Sequence, residues 1–248
     1  MDQRSELAME SGEGCPQVEV EAEKRLGRHL SLLSLRAKAP FGKEGEEREE
    51  GRYHTLLIEG NVLEISDIFE EISKGIARIL SPHVRRKRKL LVVGLGNPRM
   101  VVDALGSETV HALPSGEGSG RYLASLIPSV FGVTGIESAA IVRGVVREIC
   151  PDVVLAVDTL ATKKAERLCR AVQIGETGIV PGGGVGNKRE GLSYASLGVP
   201  VLSLGVPLLA HAELCASLPA GLVLTPKEID LYVPAFAKAI ARGIEEAL

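Results

Sequence analysis

At 248 residues, 45% of them apolar and 25% charged, the chain is long enough to bury one substantial core, and its 28 glycines imply many tight turns. Basic and acidic residues nearly cancel, 29 against 32, which argues against general nucleic-acid binding because that needs a basic footprint. No apolar run approaches the roughly 20 residues that span a bilayer, and the polar start has no signal-peptide core, so no membrane contact and a cytoplasmic location are expected.

Aromatic residues make up only 3% of the chain, so the core must be built from Val, Leu, Ile and Ala. That mixture favours an α/β fold with a mostly parallel central sheet flanked by helices. One domain over residues 1–248 is expected, with a variable N-terminal segment over 1–50. Cys15, Cys150, Cys169 and Cys215 are widely spaced and form no CxxC pair, so reduced thiols, three of them buried, are expected instead of disulfides or zinc ligands. No HExxH occurs, and neither a metal nor a cofactor is expected.

In chain order, EVEAEKRLGRHLSLLSLRA fits two short strands, or a helix and a strand. FGKEGEEREEGR, residues 41–52, fits a surface loop because it has little to bury, and YHTLLIEG reads as a strand of mixed burial. From Glu64 to Leu80, Ile65, Ile68, Phe69, Ile72, Ile76 and Ile79 recur at intervals of three and four, which predicts an amphipathic helix on one side of a sheet. Five consecutive basic residues, Arg85 to Lys89, follow as a solvated connection or a polyanion site.

The stretch LLVVGLGNPRMVVDALGSETV, residues 90–110, organises the rest: a buried strand to residue 95, a turn through Gly94 and Gly96, then a helix over 101–113 that carries Asp103. Residues 125–138 are less regular, and SAAIVRGVVREI predicts a second amphipathic helix. VVLAVDTLA, residues 153–161, is a strand whose apolar run ends on Asp158, completing a strand, helix, strand unit. ATKKAERLC predicts a short helix, AVQI a strand, residues 176–191 a long loop, and residues 199–207 another buried strand before a short helix over Leu208 to Cys215. Thr225, Pro226 and Glu228 spell a capped helix start, and Pro234 predicts a kink or break near residue 233.

Gly94, Gly96 and Asn97 suggest a dinucleotide loop, but residue 99 is Arg where GxGxxG needs Gly; PGGGVGNKR lacks the Gly-Lys-Ser/Thr ending of a phosphate loop. Its glycines, Gly183 among them, instead close a turn or expose N–H groups to a substrate. Asp103 and Asp158 carry the sharper chemistry. Asp103 fits a helix-start residue as well as a catalyst, whereas Asp158 points from a strand end toward the crevice where open α/β sheets bind ligands. Two carboxylates held close cannot both ionise cheaply, so one keeps a proton while the other activates water, as amide hydrolysis requires. Asn97, Thr134, Glu137, Thr177 and Asn187 lie in glycine-containing loops, where each either orients water or substrate or closes a turn.

The segments GKEGEE, GRYHTL, VVGLGNPRMVVDALG, PSVFGVTGIES, PDVVLAVDTLA, QIGETGIVPGGGVGNKRE, LGVPVLSLGVP and TPKEID, in this order, resemble the germination protease family of endospore-forming bacteria. The resemblance implies an aspartic-type endopeptidase of the spore core that degrades small acid-soluble spore proteins. It also implies a homotetramer, a zymogen that trims its own N-terminus, and a fold related to hydrogenase maturation proteases. The family's essential aspartates fall on Asp103 in VVDALG and Asp158 in AVDTLA. The family's TDLAVE corresponds to RSELAME from Arg4, which leaves almost no propeptide, so control is expected through expression or spore-core conditions. The short stretch between Pro207 and TPKEID implies that a helical excursion of longer members is missing. The runner-up is a maturation-type protease of the hydrogenase-processing class acting on a metal-containing protein. Peptidyl-tRNA hydrolase, suggested by VGLGNP, lacks its His here, since no His precedes His111 in this stretch.

Overall fold

Near-continuous apolar runs, buried on both faces, build the centre of the molecule. The computed structural model describes residues 7–42, 48–114, 116–118, 121–180, 190–211 and 222–248. Among them, ten strands join one sheet: β1 (Val18–Arg25), β2 (Leu30–Ala37), β3 (Gly51–Ile58), β4 (Lys89–Gly94), β5 (Gly116–Gly118), β6 (Arg121–Leu126), β7 (Val153–Thr162), β8 (Ala171–Gly175), β9 (Val201–His211) and β10 (Val223–Leu224). Their order is β1-β2-β3-β8-β9-β7-β4-β6-β5, with β10 paired to β9.

The sheet is mixed, which corrects the mostly parallel expectation. Only β6–β4, β4–β7 and β7–β9 run parallel. The reason lies in the connections: a parallel neighbour needs a crossover of a dozen or more residues. β1 and β2 are joined by a tight turn, and β8 follows β7 after only residues 163–170, so β8 lies antiparallel to β9 and β3. The ambiguous first stretch is the β1–β2 hairpin. β6, whose last two residues fall in the stretch expected to be irregular, carries RYLASL with only Leu123 buried, a weak periodic signal.

Helices cover both faces. On one, α7 (Ile229–Ala247) packs against both α2 (Ile68–Val84) and α3 (Leu105–Ala112). Ile68, Ile72 and Ile76 are fully buried there, each contributing about 1.5–3 kcal/mol relative to exposure. α2 starts later than Glu64 because Asp67 takes a left-handed conformation, φ 62°, at its cap. On the other face lies α5 (Ser138–Ile149), with Val142 and Val146 buried, beside the short helices α1 (Ala8–Ser11) and α6 (Tyr194–Leu197). A further short helix, α4 (Phe131–Thr134), sits between β6 and α5.

Several local expectations change. The helix expected over 101–113 splits into a 3-10 turn, Val101–Asp103, and α3. β7 continues four residues past Asp158, so that carboxylate sits within a strand buried along its whole length instead of at its end. ATKKAERLC forms only a 3-10 turn, Ala165–Arg167, and Leu208 to His211 extend β9 instead of starting a helix; residues 212–215 of that expectation lie outside the described residues. Thr225 does not cap α7: its hydroxyl donates to Leu208 O at 3.0 Å, and the helix begins at Ile229 without a side-chain cap. Pro234 causes no break. It falls early in α7 and forfeits one hydrogen bond, a loss outweighed by burial of Val233, Phe236, Ile240 and Ile244 around it. Of the thiols, Cys169 is buried, Cys15 half-buried and Cys150 exposed; Cys215 lies outside the described residues.

Candidate active site

The parallel pair β4 and β7 sets the geometry. Their register runs from Leu90↔Val153 to Gly94↔Val157, and Leu95 N–H donates to Val157 O at 2.8 Å. β4 ends there, and the chain turns away where β7 reaches Asp158. Along β7, Val153, Leu155 and Val157 enter the α2–α7 core while Val154, Ala156 and Leu160 enter the α5 core, so Asp158 shares the α5 side. Only 3% of Asp158 is exposed, and its Oδ1 accepts the Thr159 N–H at 2.9 Å.

The turn leaving β4 is folded around Asp103. Asn97 N–H donates to Asp103 Oδ2 at 2.8 Å, and Asp103 N–H donates to Met100 O at 2.8 Å. Asn97 closes the turn with its side chain too, Oδ1 accepting Arg99 N–H at 3.0 Å. Gly96 has φ 93°, and a Cβ there would lie 2.1 Å from Asp103 O, so only glycine allows the chain to pass this close. Gly106 does the same for the start of α3, where a Cβ would meet Leu95 N and Val157 O at 2.5 Å each.

One bond ties the two aspartate segments together. Thr159 Oγ1 donates to Val102 O at 2.9 Å, and these residues are the immediate chain neighbours of Asp158 and Asp103. Asp103 itself is half-buried, in a turn whose Met100 and Val101 are both about half exposed to solvent. A buried carboxylate and a solvent-reaching one are thus carried on adjoining segments at the end of β4.

The remaining candidates are distributed. Asn97 belongs to the Asp103 turn. Thr134 is exposed at the end of α4, where its hydroxyl donates to Ile136 O at 3.0 Å, and Glu137 occupies the N-cap of α5 without a side-chain capping bond. Thr177 shares a 2.8 Å hydrogen bond with the Tyr53 hydroxyl on the rim of a cavity of about 410 Å³, lined also by Glu190, Ser193 and Ser196. Burial pushes the Tyr53 hydroxyl up in pKa despite that bond. Gly183 and Asn187 lie outside the described residues.

Beside Thr177, Glu176 lies 3.4 Å from both His54 Nε2 and His83 Nε2. Burial raises its pKa, but the hydrogen bonds and charges of the two imidazoles outweigh burial and hold it at about 2. Among the described residues, no group of three or more His, Cys, Asp or Glu side chains is placed to hold a metal ion, and no helix is long and apolar enough to cross a membrane.

Sequence reasoning passed over Thr159, Thr162, Gln173 and Glu10. The two threonines interrupt an otherwise apolar strand just after Asp158, a legible sign of polar work inside the core. Glu10 gave no such sign, lying in a polar segment of no clear period.

An α/β protein with two aspartates held by glycine-dependent packing at the end of a parallel strand pair fits the class of aspartic-type endopeptidases. The germination protease family model matches residues 2–218, and the chain belongs to that family. It is 32% identical to the germination protease of Caldanaerobacter subterraneus subsp. tengcongensis over 99% of this chain and 94% of that protein. It is 33% identical to that of Clostridium perfringens strain SM101, over 91% of this chain and 86% of the relative. Among solved structures, the [NiFe] hydrogenase maturation protease HycI of Thermococcus kodakarensis matches with a TM-score of 0.42 at 18% identity, covering 67% of this chain and 99% of that one. At that score it carries no weight here.

Proposed function

We propose that Asp103 and Asp158 are the catalytic pair of this endopeptidase and that its substrates are small acid-soluble spore proteins. The observation that supports the pair best is the Thr159–Val102 hydrogen bond, which joins their segments one residue from each carboxylate. In this reading one aspartate takes a proton from water as it attacks the scissile carbonyl, and the other protonates the departing amine. The Asn97 N–H on Asp103 fixes that carboxylate's direction, so the attacking water meets a preset base or acid. The fold relationship to hydrogenase maturation proteases, the homotetramer and the spore-core location belong to the same reading.

The test is cleavage of a purified small acid-soluble spore protein by the parent enzyme, Asp103→Asn and Asp158→Asn. Fragments from the parent and none from either folded variant are expected. Full activity in both variants would remove the pair from the chemistry.

A further inference from the structure

The segment from Leu7 to Ser11 is bound to the sheet by polar contacts that a single helical turn does not require. Leu7 is fully buried in the same cluster as Leu95 and Leu160, residues close to the two ends of chain that carry the aspartates. Ala8 N–H donates to Gln173 Oε1 at 2.5 Å. The Glu10 side chain is 1% exposed, and its carboxylate accepts from Thr162 Oγ1 at 2.6 Å, Lys163 N–H at 2.7 Å and Arg167 Nη1 at 2.9 Å.

All three donors belong to the last residue of β7 and the turn that follows it. Asp158 is four residues upstream on the same strand, and the pairing of β7 with β9 slips between Leu160 and Ala161. Beyond that slip only Ala161 and Thr162 remain paired with β9, at Leu209 and Ala210, so the direction of the strand's end depends on what holds it past the bulge. Burying a charged pair is generally no more stabilising than filling the same volume with apolar side chains. What the carboxylate adds over a hydrocarbon is direction: it fixes a hydroxyl, a peptide plane and a guanidinium at once, just past the irregularity.

We infer that Glu10 is a positioning residue for the endopeptidase reaction, fixing the end of β7 so that Asp158 is held at its working separation from Asp103. The inference rests on those two aspartates being the catalytic pair. Its test uses two variants of the full chain. Glu10→Gln keeps the side chain's size but breaks the pairing with Arg167, and Thr162→Val keeps the β-branched shape of the strand but removes one donor.

Steady-state cleavage of a small acid-soluble spore protein should show kcat lowered roughly 10- to 100-fold, the cost of a misplaced group, with KM changed by less than about threefold. The two apparent pKa values of the pH–kcat profile should also draw together, because carboxylates that move apart interact less. A residue that only stabilises the fold would leave that profile in place. Parent-like kcat and pH profile in both folded variants, or an activity loss equal to the unfolded fraction by circular dichroism, overturns the inference. Should Glu10→Gln fail to fold, Thr162→Val decides. Asp158→Asn separates the two levels: if it stays active the catalytic pair is wrong, and if it is inactive while both other variants behave as the parent, only the role of Glu10 falls.

Discussion

Replacing Gly96 with alanine displaces Asp103 without removing any titratable group. The new methyl would start 2.1 Å from Asp103 O and 2.9 Å from Oδ1, where ordinary contact begins near 3.4 Å, so the turn must open by more than an ångström. The neighbour at closest range, Asp103 O, is backbone, which cannot rotate away as a side chain would. The left-handed φ of 93° adds about 1–2 kcal/mol of strain for an L-residue, and the overpacking about 1–3 kcal/mol. Together they predict a loss of about 2–5 kcal/mol in guanidinium unfolding. A carboxylate misplaced by about 1 Å further predicts a fall of about 100-fold in kcat once activity is normalised to the folded fraction. A folded Gly96→Ala enzyme with parent-like kcat would refute the reasoning that this turn exists to place Asp103.

Thr159→Val removes the hydroxyl that bonds Val102 O and should cost about 1–3 kcal/mol in urea unfolding, since the carbonyl loses its partner, together with a reduced kcat. Glu176, whose pKa falls from 4.5 to about 2, contributes stability that is complete above pH 4.5 and is lost as pH falls toward 2. Its contribution should be about 1–2 kcal/mol, less than the full linkage value because water still reaches the carboxylate. Glu176→Gln should therefore flatten the acid limb of the stability curve in that window, and an unchanged limb would count against the two-imidazole arrangement. Burial pushes the Cys169 thiol up to about 12, whereas Cys150 is exposed. Alkylation of the native protein, mapped by mass spectrometry, should modify Cys150 and reach Cys169 only after unfolding.

The strands and helices with one strong period were legible in the sequence: the isoleucine spacing of α2, the apolar runs of β4, β7 and β9, and the valine stripe of α5 all appear where expected. That the Asp103 turn follows β4 and that Asp158 lies on β7 was legible too, but not that β7 runs on past Asp158. Strand direction was not legible, because an apolar run buries equally well in either orientation and the connection length decides. β7 reads as ending on Asp158 because a charge normally marks a strand's exit from the core; here Thr159 and Thr162 satisfy their hydroxyls internally, so the strand continues. Thr225 spelled a cap, yet a tertiary partner at Leu208 took its hydroxyl. The bonds of Glu10 span more than 150 residues, a separation at which local pattern carries no information.

A kinetic cycle of Asp103→Asn, Asp158→Asn and the double variant tests the central claim most directly. Two residues that act as one unit should each cost about as much as both together, so the double variant should be no slower than the slower single one. Losses that multiply in the double variant, or a single variant that keeps parent-like kcat, would contradict a shared catalytic centre.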